Sequence, residues 1–164
     1  MKTATSKNSP PASAADLKAR ALRLLAGREH TRAELARKLA PYAASAEALE
    51  QLLALLVEKR LLSEARFAEE RARVLGRKYG ARRVRQDLRA RGVADNLVER
   101  AAAQTAAGEL GQARAIVQRR FSTPAGTPRE RARRIRFLQG RGFSYDTIRA
   151  ALGAQADDAA EDEL

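Results

Sequence analysis

The residues best suited to chemistry in this sequence are basic side chains, which crowd into two stretches. Positions 71–91 hold nine Lys or Arg residues against one acidic residue, Asp87, and positions 129–141 hold six Arg residues against Glu130. Lys and Arg bind phosphate oxygens, whereas a merely solvated surface usually mixes both signs of charge. We therefore expect these stretches to contact a polyanionic partner, and the candidate binding residues are Arg77, Lys78, Arg82, Arg83, Arg85, Arg89, Arg91, Arg133, Arg136 and Arg141.

Three of these residues form a stripe on one predicted helix. Arg82, Arg85 and Arg89 are spaced i, i+3 and i+7, beside the apolar pair Val84 and Leu88. Like charges at this spacing repel one another and destabilise a helix. The hypothesis that follows is that a bound partner relieves this repulsion.

The residue types needed for catalysis or metal binding are scarce. His30 is the only histidine and there is no cysteine, so thiolate sites, Cys–His pairs and zinc-ligand clusters are excluded. The sequence also lacks the GxxxxGK[ST] pattern that cradles nucleotide phosphates. We expect no enzyme, no cofactor and no metal site, and we expect His30 to be either structural or merely exposed.

The composition favours helices and an anionic partner. Ala, Leu, Arg and Glu are strong helix formers, only 4% of the 164 residues are aromatic, and the net charge is +12. A GC-rich genome would also produce many Arg codons, but it would not explain the uneven placement of the charge. Since neither a signal peptide nor a membrane span is visible, the protein is expected to be cytoplasmic, without a membrane partner.

The helical pattern repeats three times, which predicts an all-α fold. Leu39, Leu88 and Leu138 each precede a second apolar residue by ten positions, namely Leu49, Val98 and Ile148. Gly92 and Gly142 are expected to turn the chain in a left-handed conformation, whereas Ala43 predicts a different turn. Three tandem three-helix repeats should stack into an elongated, curved helical rod.

The pattern also predicts the boundaries of the domains. A disordered tail is expected at 1–15, repeats at 16–62, 63–107 and 108–153, and an acidic tail at 154–164. Two interpretations of the acidic tail are open: a solvated end without a role, or a segment that screens the basic body until a partner displaces it.

Four segments in series resemble the RecX family of regulatory proteins. They are Arg28 to Leu39 (REHTRAELARKL), Ser63 to Ala68 (SEARFA), the Lys78-Tyr79-Gly80 to Gly92 stretch and Phe137 to Tyr145 (FLQGRGFSY). Together they extend over nearly all of 17–152 in the order that the family has. Two positions depart from it: Ser63-Glu64 replaces an acidic pair, and a Gly is usual near Arg60.

The resemblance implies three tandem three-helix repeats and a function in homologous recombination and the SOS response. It implies a chain, expected to be monomeric, that lodges in the groove of the RecA–DNA filament. There it would lower RecA's ATPase and strand-exchange activities, limiting filament growth or promoting disassembly. Binding to single- and double-stranded DNA would be weak and not sequence-specific.

Two other functions remain open. Three-helix units are the scaffold of helix-turn-helix regulators, which would bind a specific duplex tightly. A helical adaptor with a merely genomic Arg excess would ignore DNA even at low salt.

Overall fold

The computed structural model describes residues 13–121 and 123–153. These ranges are helical and contain no strand; none of their helices is long and apolar enough to cross a membrane. The helices are α1 (Ala14–Gly27), α2 (Arg32–Leu39), α3 (Ala46–Glu58), α4 (Glu64–Gly76), α5 (Ala81–Ala90), α6 (Asp95–Ala107), α7 (Glu109–Arg120), α8 (Pro128–Gly140) and α9 (Tyr145–Leu152), with a 3-10 turn at Ala40–Tyr42. The predicted all-α fold of three-helix repeats is confirmed.

The chain divides into two compact units, Met1–Phe67 and Ala68–Leu164. The first unit contains α1, α2 and α3 around a leucine core, and the second contains most of α4 together with α5 to α9. The buried residues of the first core are Leu17, Ala21, Leu35, Leu39, Leu49, Leu52, Leu53, Leu56 and Leu62. The second and third predicted repeats therefore fold together rather than as separate bodies.

Helix α1 begins earlier than the sequence predicts. Ser13 and Asp16 form a reciprocal capping box, so Ala14 and Ala15 are helical although they belong to the predicted disordered tail. The rest of that tail, 1–12, and the acidic tail, 154–164, lie outside the described residues.

Helix α2 has only half of the expected capping box. The Thr31 hydroxyl accepts a hydrogen bond from the backbone N–H of Glu34 at 3.0 Å, as its spacing predicts. The Glu34 carboxylate pairs with the Arg28 guanidinium instead of returning to the cap. Those hydrogen bonds to Arg28 lower the pKa of Glu34 to about 2, so the pair is ionised at neutral pH.

His30 is buried, which decides between the two alternatives in favour of a structural residue. Its ring is 1% exposed, with Nδ1 2.9 Å from the carbonyl oxygen of Arg28 and Nε2 3.2 Å from Lys38 Nζ. Because burial disfavours the imidazolium, it lowers the pKa of His30 below its ordinary 6.5. The neutral ring is therefore buried next to the start of α2, with a hydrogen-bond partner at each ring nitrogen.

The predicted equivalence of the repeats is visible in their turns. Leu39, Leu88 and Leu138 are all fully buried. After the last two, Gly92 (φ 73°) and Gly142 (φ 80°) adopt the left-handed conformation, and the next backbone N–H closes onto the leucine carbonyl. Ala43 has φ −75°, which confirms that the first repeat turns differently.

Two valines of the α3 and α4 helices are exposed despite their apolar side chains. Val57 is 46% and Val74 44% exposed. Helix α4 buries Phe67, Ala68 and Ala72, and this arc leaves Val74 on its solvent side. The packing face of α4 is thus made largely of alanine, whose small side chain contributes little to an apolar pattern.

Arg60 occupies a backbone conformation that normally belongs to glycine. Its φ is 56°, the only positive value at a non-glycine residue within the described ranges. It follows α3 in a turn closed by hydrogen bonds from the backbone N–H groups of Leu61 and Leu62 to the Leu56 carbonyl. The departure from the family's usual Gly near this position therefore leaves a strained L-residue.

We expect Arg60→Gly to stabilise the protein. An L-residue in the left-handed region costs roughly 1–2 kcal/mol, of which glycine's larger unfolded-state entropy offsets part, leaving a gain of roughly 0.5–1 kcal/mol. The measurement is the urea midpoint by far-ultraviolet circular dichroism. The matched control is Gly92→Ala, which should shift the midpoint downward; a lower midpoint for Arg60→Gly would contradict the strain.

Candidate nucleic-acid interface

The start of α5, Gly80–Arg82, meets the turn Arg141–Gly142 backbone to backbone, and we call this contact the joint. The N–H of Gly80 donates to the carbonyl oxygen of Arg141 at 2.9 Å, and that of Arg82 to the carbonyl oxygen of Gly142 at 3.3 Å. A Cβ at Gly80 would lie 2.3 Å from the Gly142 oxygen, and one at Gly142 would lie 2.7 Å from the Arg83 nitrogen. Both positions must therefore be glycine for close approach, and Gly142 also because it turns the chain in the left-handed conformation after α8.

A buried carboxylate from another helix supplies the cap that Gly80 lacks. Glu109, 5% exposed at the start of α7, accepts a short hydrogen bond from the Ala81 N–H in the first turn of α5. Its other oxygen accepts from the Thr147 hydroxyl of α9 at 3.1 Å. A negative charge at a helix N-terminus is stabilising, so Glu109 caps α5 and fastens α9 in one contact.

Guanidinium groups and aromatic rings surround the joint. The Arg141 guanidinium carbon lies 4.6 Å from the Phe137 ring centroid and 5.8 Å from that of Tyr79. Arg83 faces Tyr79 at 6.0 Å, and Arg141 Nη1 donates to the carbonyl oxygen of Lys78 at 3.0 Å. Both rings are only partly exposed and covered by cations, so neither offers a free face for base stacking.

Three exposed cations of the joint have no internal partner. Among the described residues, nothing forms a hydrogen bond or ion pair with the side chains of Arg77, Lys78 or Arg82. With Arg83 and Arg141 they form a group that we call the joint cations. Five positive charges with no carboxylate paired to them create a local excess that attracts phosphate.

The rest of the α5 stripe is neutralised from within the protein. Arg85 pairs with Glu99 of α6 at 2.8 Å, and Arg89 pairs with Asp95 at 3.1 Å and with Glu99 at 3.0 Å. Internal ion pairs therefore relieve most of the repulsion along this stripe, and binding of an external partner to it stays a prediction. Of its three arginines only Arg82, at the start of the helix, lies beyond the reach of these carboxylates.

Arg91 is also engaged. Its Nε donates to Asp87 at 2.9 Å, and the same carboxylate accepts from Arg71 Nε at 2.8 Å. These two guanidinium groups, Arg71 foremost, hold the pKa of Asp87 below its ordinary value. The single acidic residue of the 71–91 stretch thus fixes α5 to α4 and neutralises part of its charge.

The two candidates on α8 are not ion-paired. Arg133 and Arg136 are exposed and make no ion pair with any described residue. The structure therefore brings together Arg77, Lys78, Arg82, Arg83 and Arg141 and places Arg85, Arg89 and Arg91 in internal pairs. Within the described residues, no group of His, Asp or Glu could hold a metal ion.

Sequence reasoning did not identify Glu109, Asp95 or Glu99 as residues that shape the site. Glu109 stands alone beside Gly108, with no local motif to mark it as a cap for a helix almost thirty positions earlier. The spacing of Asp95 and Glu99, i and i+4 on a helix following the basic one, gives a weak indication of pairing.

Comparison with known proteins places both repeats of the second unit in one family. Residues 63–101 match the family model described as the second three-helix domain of RecX, and residues 108–152 match the one described as the third. A regulatory protein RecX of Herbaspirillum seropedicae is 43% identical over 143 residues, which is 87% of this chain and 91% of that protein. One of Halorhodospira halophila is 47% identical over 143 residues, or 84% of this chain and 87% of that protein.

Solved structures share the fold at lower identity. The crystal structure of RecX from Lactobacillus salivarius superposes with a TM-score of 0.69 at 20% identity, covering 88% of this chain and 96% of that one. A second crystal structure, described as regulatory protein RecX, gives 0.67 at 21% identity, with 82% and 70% coverage.

Removal of the Glu109 carboxylate should destabilise the second unit. Glu109→Ala leaves the buried Ala81 N–H without an acceptor, which costs roughly 1–3 kcal/mol. Glu109→Gln keeps an acceptor oxygen and loses only the charge at the helix N-terminus, so its cost should be smaller, about 0.3–1 kcal/mol. Denaturant midpoints would test this order.

Glu69→Gln is the matched control because Glu69 is an exposed carboxylate, paired with Arg100 on the surface. Its expected cost is below about 1 kcal/mol. A Glu109→Ala cost no larger than that of the control would show that the buried carboxylate does not hold the joint.

We expect Arg82→Gln to reduce the salt dependence of binding to single-stranded DNA. If Arg82 neutralises one phosphate, its removal should lower the slope of log affinity against log salt by roughly 0.7. Fluorescence anisotropy of a labelled oligothymidylate over a salt series would measure it. Arg100→Gln removes the same charge from an arginine already paired with Glu69 at 2.7 Å, so its slope should not change; equal slopes for all three proteins would contradict the assignment of Arg82.

Proposed function

The chain belongs to the RecX family of regulatory proteins, and on that basis we propose that it regulates homologous recombination by binding the RecA filament on DNA. In this proposal it lodges in the filament groove, lowers RecA's ATPase and strand-exchange activities, and limits filament growth or promotes disassembly. It binds DNA weakly and without sequence preference, acts as a monomer in the cytoplasm, and has no catalytic residue.

The observation that carries this proposal is the group of joint cations without carboxylate partners. A phosphate that binds Arg77, Lys78 or Arg82 breaks no internal ion pair, so its full electrostatic gain contributes to binding. A phosphate that binds Arg85 or Arg89 must compete with Glu99. Contact with a DNA backbone is therefore expected at the joint and on α8, where Arg133 and Arg136 are also unpaired.

The same distribution argues against sequence-specific reading of bases. A recognition helix presents several free polar side chains along one face, as in helix-turn-helix regulators. On α5 two of the three arginines of the stripe are held by α6, and the free cations lie in the loop before the helix and at its first turn. Such cations suit backbone contact, which positions a protein without selecting a sequence.

The direct test is RecA's ATP hydrolysis on single-stranded DNA while this protein is titrated from far below stoichiometric amounts upward. Inhibition is expected, and inhibition at substoichiometric amounts would indicate end capping or propagated disassembly, whereas inhibition only near saturation would indicate groove coating. No effect at any ratio from a folded protein would contradict the proposal.

A matched pair of variants locates the contact. The triple substitution Arg77→Gln, Lys78→Gln and Arg82→Gln should shift the inhibition curve to higher concentration. The control removes three exposed charges from the first unit, Arg23→Gln, Arg37→Gln and Lys59→Gln, and should inhibit nearly as the parent does. Equal weakening by both sets would show that net charge, and not the joint, governs inhibition.

A further inference from the structure

The third repeat contains an open pocket that the joint does not use. Its volume is about 340 Å³, and it lies between the end of α7, the loop after it, α8 and the end of α9. Its wall is apolar at Val117, Phe121, Pro124 and Leu152, and basic where α8 contributes Arg131 and Arg134.

Of the two arginines, Arg134 is buried and Arg131 is partly exposed. Arg134 is only 8% exposed; its guanidinium carbon lies 4.7 Å from the Phe121 ring centroid, and its Nη2 donates to the carbonyl oxygen of Thr123 at 2.7 Å. Arg131 donates from Nη2 to the carbonyl oxygen of Gly153 at 3.2 Å, while its buried Nε has no hydrogen-bond partner among the described residues. Both guanidinium groups donate to carbonyl oxygens and neither forms an ion pair with a described carboxylate, so the pocket keeps a positive charge that favours an anionic ligand.

The chain itself carries such a ligand beside the pocket. Gly153, which Arg131 contacts, directly precedes the segment 154–164, whose charged residues are all acidic: Asp157, Asp158, Glu161, Asp162 and Glu163. Asp157 is four residues beyond Gly153, a reach of up to about 13 Å. A tethered carboxylate at this distance has a high effective concentration at the pocket.

We propose that segment 154–164 binds back into this pocket, with a carboxylate accepting hydrogen bonds from Arg131 and Arg134, and that it thereby shields the basic face of α8. Bound there, the acidic segment places negative charge beside α8 and competes with phosphates for the cations of that helix. This regulatory consequence rests on the proposed function, whereas the docking itself does not.

Paramagnetic relaxation tests the docking on the full chain. The sequence has no cysteine, so Ala159→Cys accepts one spin label at a unique site. At low salt we expect broadening of the backbone amide signals of Gln118, Ala125 and Arg131, and its loss at about 0.5 M salt, where exposed charges are screened beyond a few ångströms. Absence of broadening at these amides, or broadening centred on Arg77 to Arg83 instead, would overturn the proposal.

Two matched substitutions on α8 separate the pocket from general charge. Arg131→Gln should abolish the broadening, whereas Arg133→Gln, with the same loss of charge from an exposed position, should retain it. If Arg131→Gln does not fold, the substitutions Asp157→Asn, Asp158→Asn and Glu161→Gln leave the folded body unchanged and should abolish the broadening as well. Equal broadening in all variants would overturn the assignment.

DNA affinity then tests the regulation. Neutralising the three segment carboxylates should tighten oligothymidylate binding several-fold in the parent and not in the Arg131→Gln background. An equal gain in both backgrounds would show long-range charge and overturn the competition. If the label reports docking but no variant binds DNA, then the proposed nucleic-acid contact fails while the docking stands.

Discussion

The close backbone approach of Gly80 and Gly142 is the constraint on which the second unit depends. Because a side chain at position 80 would collide with the Gly142 carbonyl, the N-terminus of α5 cannot carry its own capping side chain. The cap must come from elsewhere in the fold, and Glu109 provides it while binding Thr147. One buried carboxylate thus links α5, α7 and α9, and it explains why the second and third repeats form a single compact unit.

The arginines of the second unit fall into two groups, those with a carboxylate partner inside the protein and those without one. Helix α6 runs beside α5 and presents Asp95 and Glu99 to its outer flank, so Arg85 and Arg89 are satisfied internally. No described carboxylate forms an ion pair with the cations of the loop before α5, since the nearby Glu109 is buried and binds the Ala81 N–H and Thr147 instead. A chain with a large net positive charge is thereby divided into arginines that stabilise the fold and a smaller group available to phosphate.

The first unit has the same arrangement of three helices, but its helix caps and turns are formed by different residues. Side chains cap its three helices, its core is leucine, and His30 and Glu34 complete the polar contacts at the start of α2. The turn after α3 places Arg60 in the left-handed region, where glycine would be free of strain. The helical plan therefore tolerates replacement of one turn residue, whereas the two glycines of the joint have no such freedom.

The sequence alone determined the features that depend on neighbours along the chain. Helix formers, apolar spacing, the caps at Thr31, Ser45, Ser63 and Ser144, and the left-handed turns at Gly92 and Gly142 are local, and all could be predicted. The basic stretches and the family resemblance could also be identified from the sequence. Only the tertiary structure decided which cations pair with carboxylates, where Glu109 lies and why Gly80 must be glycine, because each depends on residues brought together from distant positions. The local pattern does not show that Val57 and Val74 are exposed, since the face of α4 that packs is made largely of alanine and this choice of face depends on its neighbours.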